Sequence, residues 1–305
     1  MILTSKGVLI ITGANGFIGV NLILQAKKLN WDVKGIVRRQ DAADKIEKLG
    51  AEPIIIENLN ANAYNDAFKG CNVAIHLIGV INEKVTTFHD AHVNSTKVVL
   101  ESAQSQGLNR VINMSGFGVD QYNKVHWANN PYFGSKWEAE QLLLQYSVPF
   151  VNFRPSYIFG PESYWFASLF RGINKGKIKM IGDGLIPMQP VYVNDVISSF
   201  LAAADGLGKD NIHYDMVGPE ITNMLDIVQR VIRYYKKIKK TKTTVGINHI
   251  PYDKAPELLN ISKEKASVSQ CDMLGDNSNL LRELNISMTP LNQAIKKTIQ
   301  NFHHS

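Results

Sequence analysis

Residues 8–24 read Val8-Leu9-Ile10-Ile11-Thr12-Gly13-Ala14-Asn15-Gly16-Phe17-Ile18-Gly19-Val20-Asn21-Leu22-Ile23-Leu24. Four apolar residues in a row, Val8 to Ile11, suit a strand buried on both faces. Glycines follow at 13, 16 and 19, and from Phe17 the apolar spacing becomes helical. In a strand–turn–helix corner each glycine has a physical use. One turns the chain, one lets the main chain approach a pyrophosphate, and one lets helix and strand pack closely. The phosphates would rest on free amides at the helix N-terminus, where the helix dipole also favours an anion. A bare glycine triplet also describes an empty corner. Its place between a strand and a helix is the context that favours a dinucleotide.

Outward from that corner, strands and helices alternate. Strands are expected at 32–37, 53–56, 73–78, 111–114 and 148–153. Helices are expected at 41–49, 64–68, 89–106 and 131–146. This alternation implies βα units and a Rossmann-type, doubly wound parallel sheet of the α/β class. After Gly160 the alternation breaks. Helices at 166–174, 195–204 and 291–302, strands at 177–181 and 243–250, and a turn at 182–184 follow. Thr222 is placed to cap a long helix with apolar positions Leu225, Val228, Ile232 and Tyr235. The expected division is a dinucleotide domain over 1–160, with 188–210 returning to it. A smaller C-terminal α/β substrate lid would then comprise 161–187 and 211–305.

The 305 residues are 45% hydrophobic and 20% charged, the balance of an ordinary globular chain. The net charge of +6 suits an anionic coenzyme and is too small to argue for nucleic acid. No apolar run is long enough to span a bilayer, and the first strand leaves no room for a leader, so a cytoplasmic location is expected. Cys71 and Cys271 have neither metal-ligand nor CxxC spacing, which implies packing roles, a reducing compartment and no metal site. Oligomeric state is not legible, and a homo-oligomer stays open. The lysines at 236, 237, 239, 240 and 242 read as a solvated helix end, with an acidic partner as the lesser alternative.

Several segments resemble the short-chain dehydrogenase/reductase superfamily in its extended or atypical, epimerase/dehydratase-like branch. They are Thr12-Gly13-Ala14-Asn15-Gly16-Phe17-Ile18-Gly19, His76-Leu77-Ile78-Gly79, Tyr132-Phe133-Gly134-Ser135-Lys136, Arg154-Pro155-Ser156-Tyr157-Ile158-Phe159-Gly160-Pro161 and Gly182-Asp183-Gly184, followed by Tyr192-Val193-Asn194-Asp195. They come in the family's order over about two-thirds of the chain. Within the branch, the stretches from His76 to Glu83 and from Lys136 to Glu140 look like the subgroup of the dehydrogenase-like accessory subunit of respiratory complex I and its prokaryotic relatives. The resemblance implies coenzyme contacts at Gly13, Asn15, Gly16, Phe17, Ile18, Leu77, Ile78, Gly79, Pro155 and Ile158. It places adenine at Asn58 and Leu59.

Coenzyme choice can be argued from charge. NAD sites place a carboxylate at the end of the second strand, whereas Arg38 and Arg39 stand here and could pair with a 2′-phosphate. NADP is therefore expected over NAD, which stays open. As a bland alternative, both arginines are solvated loop cations.

Tyr132 and Lys136, four apart in a helix, share a face. A nearby ammonium favours the phenolate, and the resemblance adds that the lysine grips the nicotinamide ribose while the tyrosine exchanges a proton with substrate. The family's serine or threonine falls on Gly116, with Ser115 one residue early. Adjacent strand residues face opposite ways, which puts Ser115 in doubt as the third catalytic group. Asn94 matches the family's asparagine, and a local hydrogen-bonding role fits it equally well. His76 reads as a bonded core histidine, and His126 and Trp127 as candidates to line the pocket.

The primary expectation is an NADP-binding oxidoreductase acting on an unidentified carbonyl or alcohol. A nucleotide-sugar epimerase or dehydratase is the first alternative, weakened because Met188-Gln189-Pro190 supplies no arginine for a diphosphate. The second is a largely non-catalytic, NADP-bound subunit associated with a respiratory complex.

Overall fold

The computed structural model describes residues 5–302. The opening apolar run becomes β1 (Val8–Thr12), flanked by β2 (Asp32–Val37) and β4 (Val73–His76). With β3 (Glu52–Ile55), β5 (Arg110–Met114), β6 (Phe150–Pro155) and β7 (Ile212–Met216) they form one sheet. The order is β7-β6-β5-β4-β1-β2-β3 and every pairing is parallel. Pro53, which lacks an amide hydrogen, is tolerated because β3 lies at the sheet edge.

Alternate strand residues feed two cores. Leu9, Ile11, Val33, Ile75 and Ile112 pack with helices α1 (Phe17–Lys28) and α2 (Gln40–Glu47) on one face. Ile10, Ile36, Ala74 and Val111 pack on the other, against α3 (Ala61–Ala67), α4 (Ser95–Ser105) and α5 (Pro131–Leu143). Burial on both faces is why the central strand β1 is apolar from Val8 to Ile11.

Beyond β6 come α6 (Tyr164–Asn174), α7 (Val193–Ala204) and α8 (Met224–Lys239). Lys177–Ile181 pairs in parallel with Gly246–Ile250, Ile158–Phe159 with Val191–Tyr192, and Pro187–Met188 antiparallel with Thr222–Asn223.

Several expectations change. Residues 212–216, assigned from sequence to the smaller part, form β7 and pair with β6 in the main sheet. This edge strand was missed because its half-exposed His213 and Asp215 break the apolar run. β4 ends at His76, two residues early, which leaves Leu77 and Ile78 as a free carboxyl-end loop. The helix expected at 89–106 begins with a π-wound turn, His89–Asn94. Asn223, rather than Thr222, caps α8, accepting the Asp226 amide at 2.8 Å, while the Thr222 hydroxyl bonds the Asp226 carboxylate. The buried stripe of α8 is Ile227, Val228, Val231 and Tyr235, with Leu225 and Ile232 at its margins.

Candidate active site

The sheet order reverses between β1 and β4, the point at which α/β sheets take ligands in a crevice outside the carboxyl ends of the strands. The glycine turn lies on one side of it and Leu77-Ile78-Gly79 on the other. Gly13 has φ +68°, and a Cβ there would stand 3.0 Å from the Leu77 carbonyl carbon. Gly16 is the N-cap of α1. Having no side chain, it leaves the first amides of the helix uncapped, and no acidic residue lies in that turn. A Cβ on Gly19 would fall 2.5 Å from the Ala14 oxygen and 2.6 Å from the Gly13 oxygen. This glycine lets the helix seat on the loop itself, rather than on the strand. Asn15 is exposed and its carbonyl accepts Lys45 Nζ at 3.5 Å, while Phe17 is half-buried with its ring against Gly160. Ile18 is buried.

At the far end of β2, both arginines are exposed. Arg39 is taken up by Asp41, with Nε to Oδ1 at 3.0 Å and Nη2 to Oδ2 at 3.3 Å. Arg38 makes no hydrogen bond or ion pair among the described residues and is the free guanidinium at this corner. Asn58 and Leu59 are exposed on the loop after β3. Pro155 is buried at the end of β6, its carbonyl accepting the Phe117 amide at 2.9 Å, and Ile158 is half-buried beyond it.

Asn130 caps α5 and Pro131 starts it, so Tyr132 and Lys136 sit in its first turns. The Tyr132 hydroxyl lies 3.4 Å from where a Gly116 Cβ would be. Lys136 is buried, and its Nζ donates to the Met114 carbonyl at 3.1 Å and lies 3.2 Å from a Cβ position at Gly79. Burial lowers the lysine pKa to about 8, with the Glu140 carboxylate pulling the other way. Burial raises the Tyr132 phenol to about 12, and Lys136 does not deliver the expected lowering.

The family model for the NAD dependent epimerase/dehydratase family matches residues 9–216, more than half of the chain. The chain belongs to that family. A ketoreductase of Stigmatella aurantiaca, named for 4-hydroxy-2-methyl-3-oxo-4-farnesyl-3,4-dihydroquinoline-1-oxide, is 28% identical over 212 residues. That match covers 64% of this chain and 64% of the relative. The mitochondrial NADH dehydrogenase (ubiquinone) 1 alpha subcomplex subunit 9 of Arabidopsis thaliana is 25% identical, over 90% of this chain and 72% of the relative. In fold, the chain matches the UDP-glucose 4-epimerase of Thermotoga maritima with a TM-score of 0.77 at 17% identity, over 96% of this chain and 98% of that one.

Around the tyrosine, this member of the epimerase/dehydratase family shows the departure from the family pattern that the sequence raised at Ser115 and Gly116. Ser115 is buried, and its hydroxyl leans toward Glu140 without a hydrogen bond of good geometry. Gly116, not Ser115, faces the Tyr132 hydroxyl. Asn94 donates to Asp90 Oδ1 at 2.8 Å, a bond local to its own helix.

The residue turned into the site is His92, which sequence reasoning missed. Its π-wound turn is the available signal only in three dimensions, and such turns recur at functional sites. His92 stacks on Phe88 at 5.7 Å and meets Tyr132 edge-on at 5.6 Å. His92 Nδ1 and the Ser135 hydroxyl share a hydrogen bond at 2.8 Å, and the same hydroxyl lies 2.9 Å from the Tyr132 carbonyl. Nε2 lies 3.1 Å from both the amide nitrogen and the carbonyl oxygen of Val80, so either neutral tautomer finds partners on both sides of the ring. Burial and Lys136 keep the ring neutral, its pKa lowered to about 2. His92 thus joins the Gly79–Val80 turn to the helix bearing Tyr132.

His76 is a core residue as expected, paired with Thr12 at 2.7 Å and Ser95 at 3.2 Å. Trp127 packs on Phe133 at 5.4 Å, while His126 is exposed. Beneath the site, Glu140 takes Arg154 through Nε at 3.0 Å and Nη2 at 2.6 Å. Burial pushes this carboxylate up, and the hydrogen bonds and charge of Arg154, with smaller help from Ser115 and His213, together hold it below its usual range. This pair anchors α5 to β6.

On the substrate side, Met188 is buried and bridges Met273. The Gln189 amide donates to the Gly218 carbonyl at 3.1 Å and accepts the Gly275 amide at 3.0 Å. No cation stands at these positions. Phe88 packs edge-on against Tyr132 at 5.8 Å, and Tyr157 lies within electrostatic reach of Tyr132 and Cys271 while its ring meets Trp165 at 6.4 Å. Among the described residues no group of His, Cys, Asp and Glu is arranged to hold a metal, and no helix is long and apolar enough to cross a membrane.

Proposed function

We propose that the protein is an NADP-dependent oxidoreductase that interconverts a carbonyl and an alcohol on a lipophilic substrate. The observation that carries this reading is the Tyr132 hydroxyl facing the open Gly116 position, with the buried Lys136 one helical turn behind. The uncapped amides of α1 and the close backbone approach at Gly13 and Gly16 suit a pyrophosphate. Arg38, unpaired, suits a 2′-phosphate, and Arg39 would first have to leave Asp41. The bound nicotinamide supplies or accepts the hydride.

Tyr132 then gives its phenolic proton to the nascent alkoxide during reduction, or takes it back during oxidation. Lys136, charged below about pH 8, stabilises the phenolate left behind. His92 holds the Gly79–Val80 turn and the edge of the tyrosine ring, and being neutral it adds no competing charge. The aromatic wall of Phe88, Tyr157 and Trp165, the cation-free Met188-Gln189 segment, and the farnesyl-bearing substrate in the relative's name together favour an apolar substrate over a nucleotide sugar.

The test is a titration of NADPH and NADH by fluorescence, followed by turnover on a panel of isoprenoid and long-chain ketones. Preference for NADPH, reduced at least tenfold by Arg38→Gln and much less by Arg39→Gln, is expected; equal affinity for the two coenzymes overturns the NADP assignment. Gly116, which removes the usual hydroxyl, and the 25% identity to a complex I subunit favour a second reading, a coenzyme-holding subunit with little turnover. Retained NADP with no turnover on any ketone, and indifference to Tyr132→Phe, would establish that reading instead.

A further inference from the structure

The charge of the chain is laid out unevenly. Residues 163–182, 227–252 and 285–302 hold 13 of the 33 Lys and Arg and none of the 27 Asp and Glu. The remainder holds 20 cations against 27 carboxylates, a net of −7 facing a net of +13.

The fold brings these stretches together. Lys177–Ile181 pairs with Gly246–Ile250, and the Gly246 amide donates to the Gly176 carbonyl at 2.9 Å. The Tyr235 hydroxyl near the end of α8 donates to Asn174 Oδ1 at the end of α6, at 3.1 Å. Lys296 Nζ lies 4.8 Å from the Tyr234 ring. Lys175, Lys177, Lys236, Lys239, Lys240 and Lys242 therefore gather where α6 and α8 end. Five of the six are exposed and Lys236 is half-buried. Among the described residues, none of the six meets a carboxylate.

Helix-end capping does not account for this. Two helix C-termini supply roughly one negative charge between them, against six ammonium groups. A like-charged cluster of this size raises the self-repulsion of the folded chain, and an anionic surface relieves it.

We propose that this lysine corner docks the protein on an anionic phospholipid surface. The inference rests on the lipophilic substrate proposed above, which such an enzyme would meet at a bilayer. Two observations favour lipid over other polyanions. Single-stranded nucleic-acid sites interleave aromatics that stack on bases, and bidentate phosphate grips favour arginine, whereas the six are all lysines and Tyr234 is already covered by Lys296. Protein interfaces centre on apolar or aromatic anchors, and among the described residues of the three stretches the one exposed large apolar side chain is Tyr164, at the opposite end of α6 from the lysines. Clusters of four to eight lysines without such anchors bind diffuse headgroup charge.

The experiment is sedimentation of the full chain with vesicles of phosphatidylcholine alone or mixed with phosphatidylglycerol, at low and high salt. Binding is expected only to the mixed vesicles and should weaken as salt rises. Replacing Lys236, Lys239, Lys240 and Lys242 together by Gln should weaken it by roughly fivefold per lysine, several hundredfold in all, with NADPH affinity and circular dichroism unchanged. The proposal fails if the fourfold variant partitions like the parent, if the parent binds neutral vesicles equally, or if it prefers polyglutamate or duplex DNA to the mixed vesicles at matched salt. Vesicle binding needs no coenzyme. A chain that sediments with the mixed vesicles but binds no NADPH therefore removes the enzymatic reading and keeps the surface. A chain that binds NADPH but no vesicle removes the surface alone.

Discussion

The two sides of the crevice are built in different ways. The coenzyme side is made of main chain. Gly19 brings backbone atoms closer than a side chain would permit, Gly13 adopts a positive φ against Leu77, and Gly16 leaves the helix start uncapped. The proposed substrate side is made of side chains from several segments, His92, Tyr132, Tyr157 and Gln189 among them. A main-chain site tolerates no added Cβ but is indifferent to most side chains around it. A side-chain site can be retuned one residue at a time, which suits a family whose substrates differ while its coenzyme stays.

The contrast can be broken most sharply at Tyr132. Tyr132→Phe should lower kcat about 10²–10⁴-fold while leaving NADPH affinity within about twofold, as read by NADPH consumption and fluorescence titration. Equal losses in both would mean that the two sides are not separable. Next in size is Gly19→Ala. Its Cβ would meet two backbone oxygens, so destabilisation of about 1–3 kcal/mol in urea unfolding and at least tenfold weaker NADPH binding are expected. An unperturbed variant would show that the loop can shift.

His92 straddles the two sides. His92→Phe keeps the ring against Phe88 but removes two hydrogen bonds worth about 1 kcal/mol each, and should weaken NADPH binding about tenfold. Nitrogen NMR should find the His92 ring neutral across pH 5–8; a ring that titrates in that range would contradict its burial beside Lys136.

Lys136 gives a smaller, pH-dependent signal. Its folded pKa, about 8, lies below the ordinary lysine value of 10.5. Between those values the unfolded chain binds more protons than the folded one, so this group makes stability rise with pH there and is a net cost below pH 8. The urea midpoint of the parent should accordingly gain on that of Lys136→Met as pH rises from 8 to 10, and a flat difference would refute the burial of the charge. Smallest of all, Ser115→Ala should leave kcat within about twofold, because its hydroxyl faces Glu140. A tenfold drop would return Ser115 to the substrate.

Legibility in the sequence followed the same line. The glycine corner and β1, β2, α1 and α5 were readable because their signals are local: an apolar run, a turn residue, a cap, a spacing of four. β7 was not, since an edge strand with His213 and Asp215 half-exposed lacks the continuous apolar run of the central strands. Gly116 was identified from its place after β5. His92 was passed over for Asn94 because an α-helical frame through 89–106 hides the π-wound turn that swings the ring toward Tyr132.

The linear chain alone determined the α/β architecture, the family and the position of the Tyr132–Lys136 pair, because strand and helix periodicity and glycine conformation act over a few residues. Tertiary structure decided that Gly116 faces the tyrosine, that His92 reaches it, and that the lysines of α8 meet those beyond α6. Those outcomes depend on distances between residues up to tens of positions apart, which burial and hydrogen bonding set only once the sheet has closed.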